Sequence, residues 1–253
     1  MDGNPNITFV KSVDQAQYLF YCAWGDGRDL YADMEQCVST GLRCIFHITG
    51  DLCYVKDDEH IYFVTNLLDG ASCEQYQVPY AYDGDMFISD EERPYLASFM
   101  GSMDTNPSRE RLMQYAGRDG MYIERTSFWP SGPEERAVLI EKHQALLKKS
   151  MYTLCPRGAG PSSIRIMEAM LNGSVPIIID DKTRPFGDPI YFAPRCSYDE
   201  LDNTLRMLEM DKWAWPTRVA AMRRFVTSKL LIDETAGHPT ALRHSDYVLS
   251  KLK

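Results

Sequence analysis

No apolar run in this 253-residue chain approaches the roughly 20 residues needed to cross a bilayer. The opening stretch MDGNPNITFVKSVDQ also has no apolar signal core. The expectation is a soluble, cytoplasmic protein without a membrane anchor. Basic residues are in deficit, 27 Lys and Arg against 36 Asp and Glu, for a net charge of −9. That balance excludes a sequence-independent nucleic-acid surface, which needs a basic face, but leaves room for a local pocket that takes a small anion. There is no Cys-x-x-Cys pair and no His/Cys cluster at zinc spacing. The seven cysteines (Cys22, Cys37, Cys44, Cys53, Cys73, Cys155 and Cys196) are odd in number and scattered, and read as reduced thiols rather than a disulfide framework. Internal repeats and low-complexity segments are absent. Asn6-Ile7-Thr8 and Asn172-Gly173-Ser174 match the glycosylation triplet but carry no weight without a secretion signal.

At 44% hydrophobic and 25% charged, the chain has a globular composition and can bury a core. Short apolar runs alternate with helical patterns, the rhythm of an α/β fold. Two strands, or a strand and a short helix, are expected over Ile7–Ser12 and Gln17–Trp24, and strands over Arg43–Ile48 and Ile61–Asn66, with a helix over Leu30–Thr40 that Asp29 caps and Gly41 stops. Val78–Pro94, irregular and acidic, reads as a linker. Strands follow at Leu96–Met100, Met121–Glu124, Met151–Cys155, Val175–Ile179 and Tyr191–Ala193. Helices are expected from Pro107, over Pro133–Lys149 with Val138, Leu139, Ala145, Leu146 and Leu147 inward, over Tyr198–Glu209, Thr217–Leu231 and Ser245–Leu252. This gives a smaller domain over 1–92 and a doubly wound domain over 93–239, with the terminal helix within 240–253 packing back on the first. The two domains would face each other across a cleft.

The most informative stretch is Met151–Asp181, MYTLCPRGAGPSSIRIMEAMLNGSVPIIIDD. It reads as strand, glycine-rich turn, helix, tight turn, strand. Pro156, Gly158, Gly160 and Pro161 break the first strand. Ser162 or Ser163 is placed to cap the helix, and Ile164, Met167, Ala169, Met170 and Leu171 give it an apolar face. Val175–Ile179 is the continuous β-branched run of a strand buried on both faces. Small residues before a helix suit a phosphate or diphosphate, and Arg157 and Arg165 add positive charge. Glu168, three residues after Arg165, shares its helix face, and a carboxylate there can accept from two vicinal hydroxyls. Arginine for phosphate and glutamate for ribose make a nucleotide-diphosphate site.

The motifs LCPRG (Leu154–Gly158), SSIRIMEAM (Ser162–Met170) and NGSVPIIID (Asn172–Asp180) resemble the exostosin-like glycosyltransferases. Arg184-Pro185-Phe186 is similar to that family's Leu-Pro-Phe, with Arg in place of Leu. SFMGS (Ser98–Ser102), followed by Arg109 and Arg111, resembles the opening of its donor domain, and Val78-Pro79 sits where it has an apolar-Pro element. The resemblance spans about 90 residues. It implies a GT-B fold, two Rossmann-like domains, and inverting transfer from a UDP-sugar such as UDP-xylose to a glycan or glycoprotein. The first domain reads as short for the family, and a form without the stem of its Golgi members is the expectation. A soluble form of this kind would suit a virus or microbe that glycosylates in the cytoplasm.

Inverting transfer needs a stabilised leaving diphosphate and a general base. Arg157, Arg165 and Arg109, with the amides near Gly101, Ser102, Gly158, Ser162 and Ser163, would supply the first without a metal or other cofactor. Glu168 would hold the ribose. Asp51 leads the candidates for the base because it ends a probable strand. His47, in CIFHI, is the second, and Asp26 and Asp29 follow. Asp180-Asp181 also ends a strand. Asp83-Gly84-Asp85 would hold a metal in a GT-A-like alternative but lies in the acidic linker, where a solvated turn accounts for it. A non-catalytic glycan-binding module is the alternative outside enzymes.

Overall fold

The structure, a computed structural model, describes residues 10, 12–24, 29–49, 61–64, 74–77, 92–127, 132–160, 163–179 and 191–229. The chain divides into two compact units. One comprises Met1–Ala81, Thr183–Pro189 and Ser228–Lys253, and the other Tyr82–Lys182 and Ile190–Thr227.

In the first unit β1 (Tyr18–Trp24), β2 (Arg43–Thr49), β3 (Ile61–Val64) and β4 (Glu74–Gln77) form a parallel sheet in that spatial order. Helix α1 (Asp29–Val38) connects β1 to β2 and buries Met34, while Cys44, Ile45, Phe46 and Ile61 make the core of the strands. Gly41 ends the helical segment at φ +74°, a conformation open to glycine. The strand Glu-Gln-Tyr-Gln, β4, escapes the sequence pattern because it lies at a sheet edge, where polar side chains are tolerated and protective. Val13–Gln15 is a single 3-10 turn, and the strand expected over Ile7–Ser12 falls mostly outside the described residues.

The second unit holds β5 (Tyr95–Gly101), a 3-10 helix (Pro107–Tyr115), β6 (Met121–Arg125), α2 (Pro133–Lys148), β7 (Ser150–Pro156), α3 (Arg165–Leu171), β8 (Val175–Ile179), β9 (Arg195–Cys196), α4 (Leu201–Met210) and α5 (Trp215–Lys229). Its sheet is parallel, in the order β6-β5-β7-β8-β9. The inner strands are nearly continuous apolar runs, and all five residues of β8 are buried, as two covered faces require. Pro176 interrupts β8 where the two-residue β9, alongside Ile178 and Ile179, does not reach, so its missing N–H faces no full ladder. Right-handed crossovers set the layers. The connection from β5 to β6 runs one way and those through α2 and α3 run the other, so the 3-10 helix and the α2–α3 pair cover opposite faces.

Several local expectations need correction. The segment after Pro107 is 3-10 rather than α, and it buries Arg109, Leu112 and Tyr115 at three-residue spacing while Met113 stays exposed. Helix α2 is rotated from the expected face: Val138 is 63% exposed and Ala145 is exposed, whereas Leu146 and Leu147 are buried with Leu139 and His143 beside them. Residues 191–193 form a turn, with the strand at Arg195–Cys196. Helix α4 begins at Leu201 because Glu200 folds back to accept from the Ser197 amide and hydroxyl. Helix α3 starts at Arg165 from Ile164, with no side-chain cap from Ser163, and Ile164 is exposed rather than packed. Its other end is a Schellman motif. Ser174 N–H donates to Ala169 O, Gly173 N–H donates to Met170 O, and Gly173 sits at φ +75°.

Candidate functional site

Within the second unit the chain leaves β5 toward β6 and leaves β7 toward β8, in opposite directions along the sheet. The carboxyl ends of β5 and β7 are therefore a topological switch point, the place where open α/β sheets bind ligands. Gly101 ends β5 and Pro156 ends β7, so the two turns singled out from sequence, at Gly101-Ser102 and after Pro156, leave the sheet side by side.

Arg165 occupies this point. Its guanidinium carbon lies 4.6 Å from the centre of the Phe99 ring. A Cβ on residue 101 would stand 2.9 Å from Arg165 Nη2 and 3.0 Å from Nη1, so glycine is required there for the arginine to lie flat against the strand end. Nε and Nη1 of Arg165 are buried with no hydrogen-bond partner among the described residues. An arginine so held presents a fixed cationic fork that suits a phosphate.

Arg109 has a different task from the direct anion contact expected of it. It is 7% exposed. Nε donates to Arg157 O at 3.0 Å, Nη1 to Ser102 O at 2.9 Å and Nη2 to Pro156 O at 3.3 Å. Arg109 thus ties the ends of β5 and β7 together from below and shapes both loops. Asn106 helps from the same segment: its Nδ2 donates to Gly158 O at 3.2 Å while Oδ1 accepts from the Ser108 amide. Ser102, expected near the anion, is buried, and its hydroxyl accepts from the Asp104 amide. Ser163 is buried, and its carbonyl accepts from the Ile166 amide.

The other side of this frame is open. Thr105, Asn106, Pro107, Ser108, Arg157, Gly158, Ala159 and Tyr198 line a cavity of about 530 Å³. Arg157 Nε and Thr105 Oγ1 are buried without a partner among the described residues. Arg157 and Gly158, expected at the anion, therefore stand in a polar recess beside the switch point.

Glu168 lies one helical turn beyond Arg165, with its side chain 19% exposed. Burial pushes its carboxyl above the ordinary range, and the Arg165 charge draws it partly back. His143 on α2, absent from the sequence-derived candidates, stands beside it, with Nδ1 4.0 Å from Glu168 Oε2. Burial, and second the Arg165 charge, bring His143 down to about 3, so at neutral pH the imidazole is uncharged and the contact is not an ion pair. The signal for His143 was its place in the stripe Leu139, His143, Leu146, Leu147, the helix face that α2 turns inward.

His47 lies in β2, paired with Cys22 and Phe63. Asp51, Ser162, Asp26, Asp83, Asp85, Asp180 and Asp181 lie outside the described residues, and Asp29 opens α1. Among the described residues no group of three His, Cys, Asp or Glu side chains could hold a metal ion, and no helix is long and apolar enough to cross a membrane.

Residues 77–214, more than half of the chain, match the family model described as the RXYLT1 C-terminal domain. The chain belongs to this family. Among the relatives of this RXYLT1 C-terminal domain protein is ribitol-5-phosphate xylosyltransferase 1 of Homo sapiens, 35% identical over 97 residues, which are 37% of this chain and 21% of that protein. Another is the probable glucuronoxylan glucuronosyltransferase IRX7 of Arabidopsis thaliana, 31% identical over 102 residues, or 38% of this chain and 22% of that protein. The match thus spans about a fifth of the length of these relatives. The resemblance drawn from the 151–181 motifs holds at the level of a glycosyltransferase family. The crystal structure of TarM superposes with a TM-score of 0.50 at 10% identity, covering 91% of this chain and 54% of that one. At that identity the likeness speaks for the fold alone, and it places this α/β chain in the GT-B class.

Proposed function

We propose that this chain is an inverting glycosyltransferase that moves a sugar from a UDP-sugar to a glycan or glycoprotein acceptor. The observation that carries this reading is Arg165, an arginine packed against Phe99 and Gly101 at the carboxyl ends of β5 and β7, with two buried nitrogens that have no partner among the described residues. That is a preorganised seat for a leaving diphosphate, which gains charge as the bond to the sugar breaks. Arg157 in the adjoining recess would share the charge, and Glu168 would accept from the ribose hydroxyls.

In the transfer an acceptor hydroxyl oxygen attacks C1 of the sugar from the face opposite the diphosphate. The C1–O bond to the β-phosphate breaks, its electron pair leaves with the nucleotide, and the hydroxyl proton passes to a base. Asp51 and His47 are the candidates for that base. The arginines supply the positive charge that a metal brings in other transferases, so the reaction is expected to proceed without one.

The relatives' names make UDP-xylose and UDP-glucuronic acid the first donors to test. Incubation of the protein with each of a panel of UDP-sugars, with and without EDTA, should release UDP from one donor at an unchanged rate in chelator. Loss of activity in EDTA with recovery in manganese would refute the metal-free mechanism. Absence of UDP binding at millimolar concentration by calorimetry would refute the nucleotide site.

A further inference from the structure

Helix α2 turns a stripe of leucines, Leu139, Leu146 and Leu147, toward the sheet, and His143 interrupts it. An imidazole placed among apolar side chains is costly unless it has a polar partner. Its Nδ1 stands 4.0 Å from Glu168 Oε2, beyond hydrogen-bond length, a gap that a small shift of either side chain closes. The neighbouring cation on α2, Lys142, is engaged elsewhere, 2.6 Å from Glu124 Oε1. His143 is therefore the α2 side chain that meets Glu168.

We infer that His143 is a positioning residue: it holds the Glu168 carboxylate away from Arg165 and in place for the ribose hydroxyls. Arg165 and Glu168 are spaced i, i+3 on one short helix, a spacing at which opposite charges pair. If they paired, the carboxylate would cover the nitrogens meant for phosphate, and the guanidinium would take the oxygens meant for ribose. No hydrogen bond joins them among the described residues. A lysine or arginine at position 143 would bind Glu168 too strongly and add charge beside Arg165. A leucine would leave the carboxylate free to swing onto Arg165. A neutral imidazole supplies a donor without a charge, and the Arg165 guanidinium itself helps keep it neutral.

This inference rests on the ribose role proposed for Glu168, and the experiment separates the two. UDP and 2′-deoxy-UDP are titrated by calorimetry into the wild-type chain and into the His143→Leu, His143→Asn and Glu168→Ala variants, with folding checked by circular dichroism. Wild type should prefer UDP, and Glu168→Ala should remove the preference. His143→Leu should weaken UDP about fivefold more than it weakens 2′-deoxy-UDP, a difference worth one hydrogen bond. His143→Asn, whose amide nitrogen falls where Nδ1 was, should restore the preference. Should the leucine variant not fold, His143→Ala carries the same comparison. Equal loss for both nucleotides, or no loss for either, overturns the role of His143. A wild type that does not distinguish the nucleotides, or a Glu168→Ala variant that still does, overturns the ribose reading instead.

Discussion

The guanidinium of Arg165 lies 4.6 Å from the ring centre of Phe99, and Arg109 approaches the same ring at 5.7 Å. The two arginines share one aromatic platform yet have separate tasks. Arg109 is joined to main-chain carbonyls, whereas Arg165 keeps two buried nitrogens without a partner among the described residues.

The platform admits Arg165 only because residue 101 has no side chain. Gly101→Ala would put a methyl group 2.9 Å from Nη2 and 3.3 Å from the Phe99 ring edge, and the arginine must move. We expect UDP affinity to fall about tenfold or more, with a change in melting temperature of a few degrees at most. Calorimetry and thermal melting of the same sample check this, and unchanged affinity would remove Gly101 from the site.

Stability is anchored elsewhere. Arg93 Nη1 donates to Leu147 O at 2.9 Å and Ser150 O at 2.7 Å, Nη2 donates to Asn172 O at 3.2 Å, and the guanidinium lies 5.6 Å from the Trp215 ring centre. One side chain thereby joins the end of α2, the start of β7 and the turn after α3. Arg93→Met should destabilise the chain by about 2–4 kcal/mol, since three carbonyls lose a charged donor. In the folded variant UDP affinity should stay within about twofold of wild type. Denaturant titration together with calorimetry distinguishes this from a role in binding.

Titration of the α2–α3 contact gives a prediction of definite sign. The unfolded chain protonates His143 near 6.5, while the folded chain resists until about 3. A depressed value means that stability is present above 6.5 and is lost as pH falls through the window down to 3, by roughly 4–5 kcal/mol at most. Glu168 contributes with the opposite sense: its raised value lets stability increase as pH falls toward the ordinary carboxylate range. His143→Asn should therefore flatten the loss of melting temperature between pH 7 and pH 4, and Glu168→Gln should steepen it. A His143→Asn profile parallel to wild type would show that the histidine is not buried against α3.

Much of the second unit was legible because its signals are local. The β-branched run of β8, the glycines after β7 and the Asn-Gly turn after α3 each dictate their own conformation, and the arginine and glutamate of α3 follow from helical spacing. What escaped depended on partners. The apolar residues of α2 surround its circumference from Val138 to Leu147, so no single face is marked, and only packing against the sheet and α3 selects the one that includes His143. Arg109 shows the same limit. A cation near a glycine loop reads as a ligand for phosphate, and only the fold reveals that it has three carbonyls to satisfy. Likewise β4 becomes a strand through its neighbour β3, since EQYQ carries no alternation of apolar and polar residues.

Arg165 finally places binding and folding in local conflict. A fold optimised for its own sake would not bury Nε and Nη1 of an arginine without acceptors among the described residues, because each unmet donor costs about 1–3 kcal/mol. Such frustration is the mark of a residue retained for something other than the fold. Arg165→Leu, which fills part of the same space without polar atoms, should raise the melting temperature even as it abolishes UDP binding. Ligands that satisfy those nitrogens, pyrophosphate included, should raise it in the wild type and not in the variant.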